Sequence, residues 1–158
     1  MFIRDFVQVE RSFDEVRALI LADTLGFLNG NAGDAYRDGE RFFLRLEPST
    51  DHPTFGKKVQ VELADPYESE DSLMVPMHWW APGATRLFPH LDAVLEFAPL
   101  GSMWTQITLM GSYDPPFGVI GRRADAMVLH RVAEASIRSF VTRVARRLQA
   151  PVLAEPAR

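Results

Sequence analysis

A long amphipathic helix, predicted from Arg122 to Gln149, is the feature of this sequence that most limits its possible folds. A turn-forming segment, Asp114-Pro115-Pro116-Phe117-Gly118, precedes it. At about 100° of rotation per residue, the apolar side of the helix lies within about 40° of Ile137. This side also carries Ala126, His130, Ala133, Val144 and Leu148. Such a helix needs an apolar face to pack against, and one histidine is predicted to point towards that face.

Before this helix, the sequence predicts a strand, a pair of short helices and then a run of further strands. Ser12 and Glu15 form a capping-box pattern at the first short helix, and Asn29-Gly30-Asn31 ends the second. The order predicts an α+β fold in which the long helix returns across one face of an antiparallel sheet. The predicted strands are Phe2–Val9, Arg41–Glu47, Lys57–Ala64, Ser72–Ala81, Phe88–Ala98 and Ser102–Tyr113.

Alternation of side chains within the strands predicts which face of the sheet the helix covers. In the strand that begins near Phe88, Asp92 and Glu96 alternate with the apolar residues Leu91, Ala93, Leu95 and Phe97. The strand that contains Pro76 has large apolar side chains on both faces. Because proline has no amide hydrogen, Pro76 predicts an edge position or a bulge for that strand.

Length and composition favour one domain. The chain has 158 residues, 47% of them apolar, which fits a single domain over residues 1–149. Residues 150–158 contain two prolines and no apolar periodicity, so a flexible tail is predicted there. The absence of cysteine excludes disulfides and thiolate chemistry. No segment has the apolar run of a signal peptide or a membrane span, and a cytoplasmic location is expected.

Positive charge is concentrated on the C-terminal helix. Residues 122–148 hold seven arginines against Asp125 and Glu134, although the whole chain has a net charge of −4. A basic helix can bind nucleic acid or a membrane surface. These arginines spread around the outer side of the helix, however, and those in its last turns complement the helix dipole. We therefore expect no nucleic-acid partner and no stable membrane anchoring, whereas a homodimer stays open.

Four segments, in this order, resemble the START-like superfamily, also labelled SRPBCC, and within it actinobacterial members of unassigned function. They are Leu87-Phe88-Pro89-His90-Leu91, Pro99-Leu100-Gly101, Gly111-Ser112-Tyr113-Asp114-Pro115-Pro116-Phe117-Gly118 and Leu129-His130-Arg131-Val132-Ala133-Glu134-Ala135. The superfamily includes lipid-transfer domains, plant pathogenesis-related allergens, and polyketide cyclases and aromatases. The resemblance covers essentially the whole chain. It implies a helix-grip fold: a curved antiparallel sheet of six or seven strands, with two short helices after the first strand, wraps around the C-terminal helix and encloses an apolar cavity.

His130 is the strongest single candidate for chemistry, because a partly solvated imidazole titrates near neutral pH. The superfamily shares no single reaction, so the resemblance assigns no catalytic residue. Three interpretations of His130 stay open: a hydrogen-bonded core group, a pocket-lining group, or an acid–base catalyst. Glu134 lies one helical turn further on, where it could orient or charge the imidazole.

Neither a metal site nor a cofactor site is expected. His52, His78 and His90 lie on separate strands or loops without the spacing of metal ligands, and no His-Glu-x-x-His sequence is present. Ser112 does not sit in a nucleophile-elbow motif.

Strand alternation and helix phase together predict a ligand-binding set between the helix and the sheet. Tyr113 and His130 are its expected polar contacts. The predicted set is Met77, Trp79, Leu95, Phe97, Ile107, Leu109, Tyr113, His130, Ala133 and Ile137. The leading hypothesis is binding of a small lipophilic or aromatic molecule by a binding protein. The alternatives are a polyketide cyclase-like or dehydratase-like enzyme that uses His130 as acid or base, and a protein-interaction module with a vestigial pocket.

Overall fold

The computed structural model describes residues 1–28, 35, 60–80, 90–114 and 123–150. Its elements are β1 (Phe2–Val9), α1 (Phe13–Ala22), β2 (Gln60–Leu63), β3 (Tyr67–Ser69), β4 (Ser72–Trp80), β5 (His90–Leu100), β6 (Trp104–Asp114) and α2 (Arg123–Gln149). Residues 24–28 are also helical. The predicted strand at 41–47, the end of the second short helix and the predicted tail beyond Ala150 lie outside the described residues.

The described strands form one curved antiparallel sheet in the order β1-β6-β5-β4-β2, and β3 also pairs with β4. With α2 it makes the predicted α+β helix-grip architecture. The β5–β6 hairpin pairs Leu100 with Trp104, and Gly101 follows Leu100 with a φ of 69°. Glycine suits this left-handed position because it has no side chain to clash with the backbone. The predicted strands ended at Ala98 and resumed at Ser102, whereas strand pairing continues through Leu100 and resumes at Trp104.

Pro76 lies within the sheet and not at its edge, because β5 pairs with β4 on one side and β2 and β3 pair with it on the other. It falls in the gap between the stretch of β4 paired with β2 and the stretch paired with β3. The Pro76 carbonyl accepts a hydrogen bond from the Ala64 amide across this gap at 3.0 Å. A strand residue directs its amide and carbonyl to the same side, so the missing hydrogen of Pro76 also faces the gap. The predicted edge position was wrong, because two short strands share one side of β4. The alternative, a bulge, is present: between the two pairings, residues 64–66 lie opposite only residues 75 and 76, so the register shifts by one residue at Pro76.

The helix ends are fixed by specific polar contacts. At the start of α1, the Ser12 amide and hydroxyl donate to Glu15 Oε2 at 3.2 and 2.7 Å, which confirms the predicted capping box. Near the end of α2, Arg147 donates to the carbonyls of Gly26 and Phe27 at 3.1 and 2.9 Å. Its guanidinium also lies 4.6 Å from the centre of the Phe27 ring. These contacts tie the last turn of α2 to the helical segment 24–28.

Helix α2 does not lie evenly over the sheet. Its backbone approaches β1 most extensively and β6 next, whereas β4 is reached through large side chains. The rings of Trp79 on β4 and Phe140 on α2 meet edge to face, with centres 5.6 Å apart and planes at 64°. The core therefore lies between α2 and the inner face of the sheet, from β1 across β6 and β5 to β4.

Candidate functional site

Residues on the inner face of the sheet form rows that run across β6, β5 and β4. The strand register sets Tyr113 beside Leu91 and Leu91 beside Trp79 at one end. The following rows are Gly111, Ala93 and Met77, then Leu109, Leu95 and Val75, then Ile107, Phe97 and Leu73. The first two rows lie towards Asp114 on β6, and the last two lie towards the β5–β6 hairpin.

The two pairs of rows differ in their contact with solvent. Leu95, Phe97, Ile107 and Leu109 are all 0% exposed. By contrast, Trp79 and Leu91 are each 6% exposed, Ala93 is 7% and Ala133 on α2 is 8%. We call Leu73, Val75, Leu95, Phe97, Ile107 and Leu109 the closed half. We call Trp79, Leu91, Ala93, Gly111, Tyr113, His130, Ala133 and Ile137 the accessible half.

Small residues line part of the accessible half. Gly111 on β6 lies opposite Ala93 on β5, and a β-carbon at Gly111 would collide with the Asp92 carbonyl and lie 2.7 Å from Ala93 Cα. Only glycine permits this close approach of the two strands. With Ala93 and Ala133 also small, this part of the inner surface lacks the bulk that fills the closed half.

The accessible half carries one hydrogen-bonded polar cluster among the residues described. Tyr113 Oη lies 2.6 Å from His130 Nδ1, and their rings stack with centres 5.9 Å apart and planes at 20°. His130 Nε2 lies 3.3 Å from Glu134 Oε1, one helical turn along α2. The His130 side chain is 33% exposed and that of Glu134 is 50% exposed. The cluster therefore runs from buried Tyr113 to a solvated carboxylate.

Met1 contacts Tyr113 through both its backbone and its side chain. The Tyr113 amide donates to the Met1 carbonyl at 2.8 Å, and the Met1 nitrogen donates to the Tyr113 carbonyl at 2.6 Å. Met1 Sδ lies 3.1 Å from Tyr113 Oη. Sequence reasoning missed this neighbour, although antiparallel pairing of the first strand with the last would have indicated it.

The surroundings of Tyr113 favour the protonated form of its hydroxyl. Burial and, secondly, the negative charge of Glu134 raise the pKa of Tyr113. An ionised Glu134 carboxylate can only accept hydrogen bonds, so it favours a proton on the facing His130 Nε2. In a neutral imidazole, Nδ1 then accepts the Tyr113 hydroxyl proton. This tautomer is assigned from the neighbours of each nitrogen.

The predicted ligand-binding residues divide between the two halves. Trp79, Tyr113, His130, Ala133 and Ile137 lie in the accessible half, and His130 is half-buried instead of fully enclosed. Met77, which is 1% exposed, shares a row with Ala93 but is buried like the closed half. The four residues predicted on the middle of β5 and β6, Leu95, Phe97, Ile107 and Leu109, lie in the closed half. The prediction omitted Leu91, Ala93 and Gly111. The register of the β5–β6 hairpin, counted back from its turn at Gly101, pairs Leu91 with Tyr113 and Ala93 with Gly111 and would have indicated them.

Arg138, Arg143 and Arg147 of α2 make their polar contacts outside this site. Arg138 pairs with Asp5 on β1 at 3.3 Å, Arg143 donates to Ser139 at 3.3 Å, and Arg147 binds the backbone of residues 26 and 27. An open concavity of about 600 Å³ follows the outer face of α2. Within the described ranges, no His, Asp and Glu side chains are grouped to hold a metal ion. The helices described there lack the combination of length and apolar character needed to cross a membrane.

Two solved structures resemble the chain over most of its length. The Zhui aromatase/cyclase from Streptomyces sp. R1128 is 15% identical, with a TM-score of 0.50 over 94% of this chain and 93% of its own. A protein from Arthrobacter aurescens, solved by NMR, is 11% identical, with a TM-score of 0.50 over 96% of this chain and 88% of its own. This chain has a START-like, helix-grip fold. No family model matches the sequence, and no curated protein matches it significantly.

Proposed function

We propose that the protein binds a small lipophilic or aromatic molecule between α2 and the accessible half of the inner face. The observation that carries this proposal is the uneven solvent contact of residues that all point inwards. Trp79 and Leu91 are buried but keep 6% exposure and border an open concavity at the end of β4 and β5, whereas Leu95 and Leu109, a few residues along the same sheet, have none. Apolar surface that stays accessible beside a few polar groups is typical of small-molecule sites.

The residues around this surface fit such a ligand. Trp79 offers a flat apolar ring, and the small side chains of Ala93 and Ala133 face the same side. Tyr113 and His130 supply polar groups at one end. The solvated Glu134 carboxylate marks the outer end of the cluster, and a ligand would lie with its apolar part towards Trp79.

Uptake of the neutral fluorophore N-phenyl-1-naphthylamine tests this proposal. Its emission should rise on binding to the wild-type protein. Ala133→Leu should weaken binding at least tenfold, because the longer side chain would fill the proposed site. Ala135→Leu makes the same change at a half-buried position on the other side of α2 and should leave the affinity unchanged. The proposal fails if the wild type shows no uptake, or if both variants bind equally well.

A second candidate function is polyketide cyclase-like catalysis, and the Glu134–His130–Tyr113 chain favours it. This arrangement could pass a proton from a substrate carbon, through Tyr113 Oη, to His130 Nδ1, while Glu134 stabilises the imidazolium. The aromatase/cyclase with the same fold makes such a substrate reasonable to test. With a synthetic linear poly-β-ketone, His130→Gln should slow formation of cyclised product at least 100-fold. Equal product formation by wild type and variant, measured by mass spectrometry, would exclude this role.

A further inference from the structure

We infer that the site discriminates ligands by hydrogen-bond polarity: it selects molecules with a hydroxyl or N–H group over equivalents that can only accept, and Glu134 is the positioning residue that sets this preference. This inference rests on the proposed function and concerns the same site. It follows from counting the protons and lone pairs of the Tyr113–His130–Glu134 cluster.

Tyr113 has one hydroxyl proton and two lone pairs. The proton is directed to His130 Nδ1 over a distance of 2.6 Å. Among the residues described, the other polar neighbour of Tyr113 Oη is Met1 Sδ at 3.1 Å, a thioether that is a weaker acceptor for the same hydroxyl proton and has no hydrogen to donate. The phenol oxygen therefore presents unused acceptor capacity, and a ligand that donates a hydrogen bond satisfies it.

A ligand that only accepts would meet the opposite situation. To donate to it, Tyr113 would have to withdraw its proton from His130 Nδ1. That nitrogen would then lose its partner in a half-buried setting, which carries a desolvation cost. Such an asymmetry is how a polar site rejects a ligand that lacks the matching group.

Glu134 sets the direction of the whole chain of hydrogen bonds. Its carboxylate lies 3.3 Å from His130 Nε2 and favours the tautomer with the proton on that nitrogen. With a neutral amide at position 134, the alternative tautomer becomes accessible, in which Nδ1–H donates to Tyr113 Oη. The Tyr113 proton would then be free to serve an accepting ligand. Glu134 thus acts through His130 and need not touch the ligand.

Binding of 2-naphthol and 2-methoxynaphthalene, measured at pH 7 by displacement of N-phenyl-1-naphthylamine, tests the inference. The methyl group removes only the donor, and it makes the molecule more apolar. The wild type should prefer 2-naphthol about five- to tenfold. Glu134→Gln should reduce this preference to less than twofold. Glu10→Gln, an exposed glutamate after β1, is the matched control and should keep the full preference.

A second measurement separates a positioning role from a structural one. The ¹⁵N chemical shifts of the His130 ring, assigned with His130→Gln, should report a proton on Nε2 in the wild type and a shift towards the Nδ1–H tautomer in Glu134→Gln. Equal affinities for the two naphthalenes, no displacement by 2-naphthol, or an unchanged tautomer in the variant would each overturn the inference. Failure of the fluorophore itself to bind would instead overturn the proposed function.

Discussion

The closed and accessible halves of the inner face are built from the same strands, yet they differ in solvent contact and in the size of their side chains. In the closed half, Leu95, Phe97, Ile107 and Leu109 contact no solvent. In the accessible half, Ala93, Gly111 and Ala133 replace large side chains, and the polar pair Tyr113–His130 lies nearby. The comparison teaches that uniform apolar alternation along the strands does not decide how tightly each part of the face is packed.

The largest expected effect compares one leucine from each half. Leu109→Ala should lower the free energy of unfolding by about 3–4 kcal/mol, because it leaves a cavity in a fully packed region. Leu91→Ala should cost about 2 kcal/mol or less, since its side chain borders accessible space that can fill without leaving a dry void. Urea denaturation of both variants measures the difference. Equal losses would remove the distinction between the two halves.

A smaller effect concerns the polar end of the accessible half. Tyr113→Phe should cost about 1 kcal/mol at pH 7 through loss of the hydrogen bond to His130. The pKa of Tyr113 is raised in the folded state, so its contribution is present below the unfolded value of about 10 and is lost as the pH rises through the folded pKa.

Alkaline denaturation can therefore be compared between the two proteins. Above about pH 10, the stability of the wild type should fall more steeply than that of Tyr113→Phe. Tyr67→Phe removes an exposed hydroxyl from β3 and is the matched control. Parallel curves for wild type and Tyr113→Phe would show that the buried phenol is not linked to stability in this way.

Much of the fold could be predicted because its signals are local. The capping box at Ser12, the strand alternation around Asp92 and the amphipathic period centred on Ile137 each reflect contacts within a few residues. The short strand β3 was not among the predicted strands, since its pairing with β4 depends on tertiary contacts. The position of Pro76 inside the sheet was missed for the same reason.

The candidate site was predictable only in part. Helix phase directed His130 towards the sheet, and alternation placed Tyr113 on the inner face. Alternation cannot tell Leu91 from Leu95, however, because both side chains point to the same face. The role of Met1 was also hidden, because it lies 112 residues from Tyr113 in sequence.

The sequence by itself determined the amphipathic helix, the strands and their inner face, since these follow from backbone periodicity and from the cost of exposing apolar side chains. Only the tertiary structure decided that α2 approaches β1 and β6 more closely than β4, and that Tyr113, His130 and Glu134 form one chain of polar contacts. The physical reason is that periodicity fixes the direction in which a side chain points. The distance to the opposing surface depends on packing between segments that are remote in the sequence.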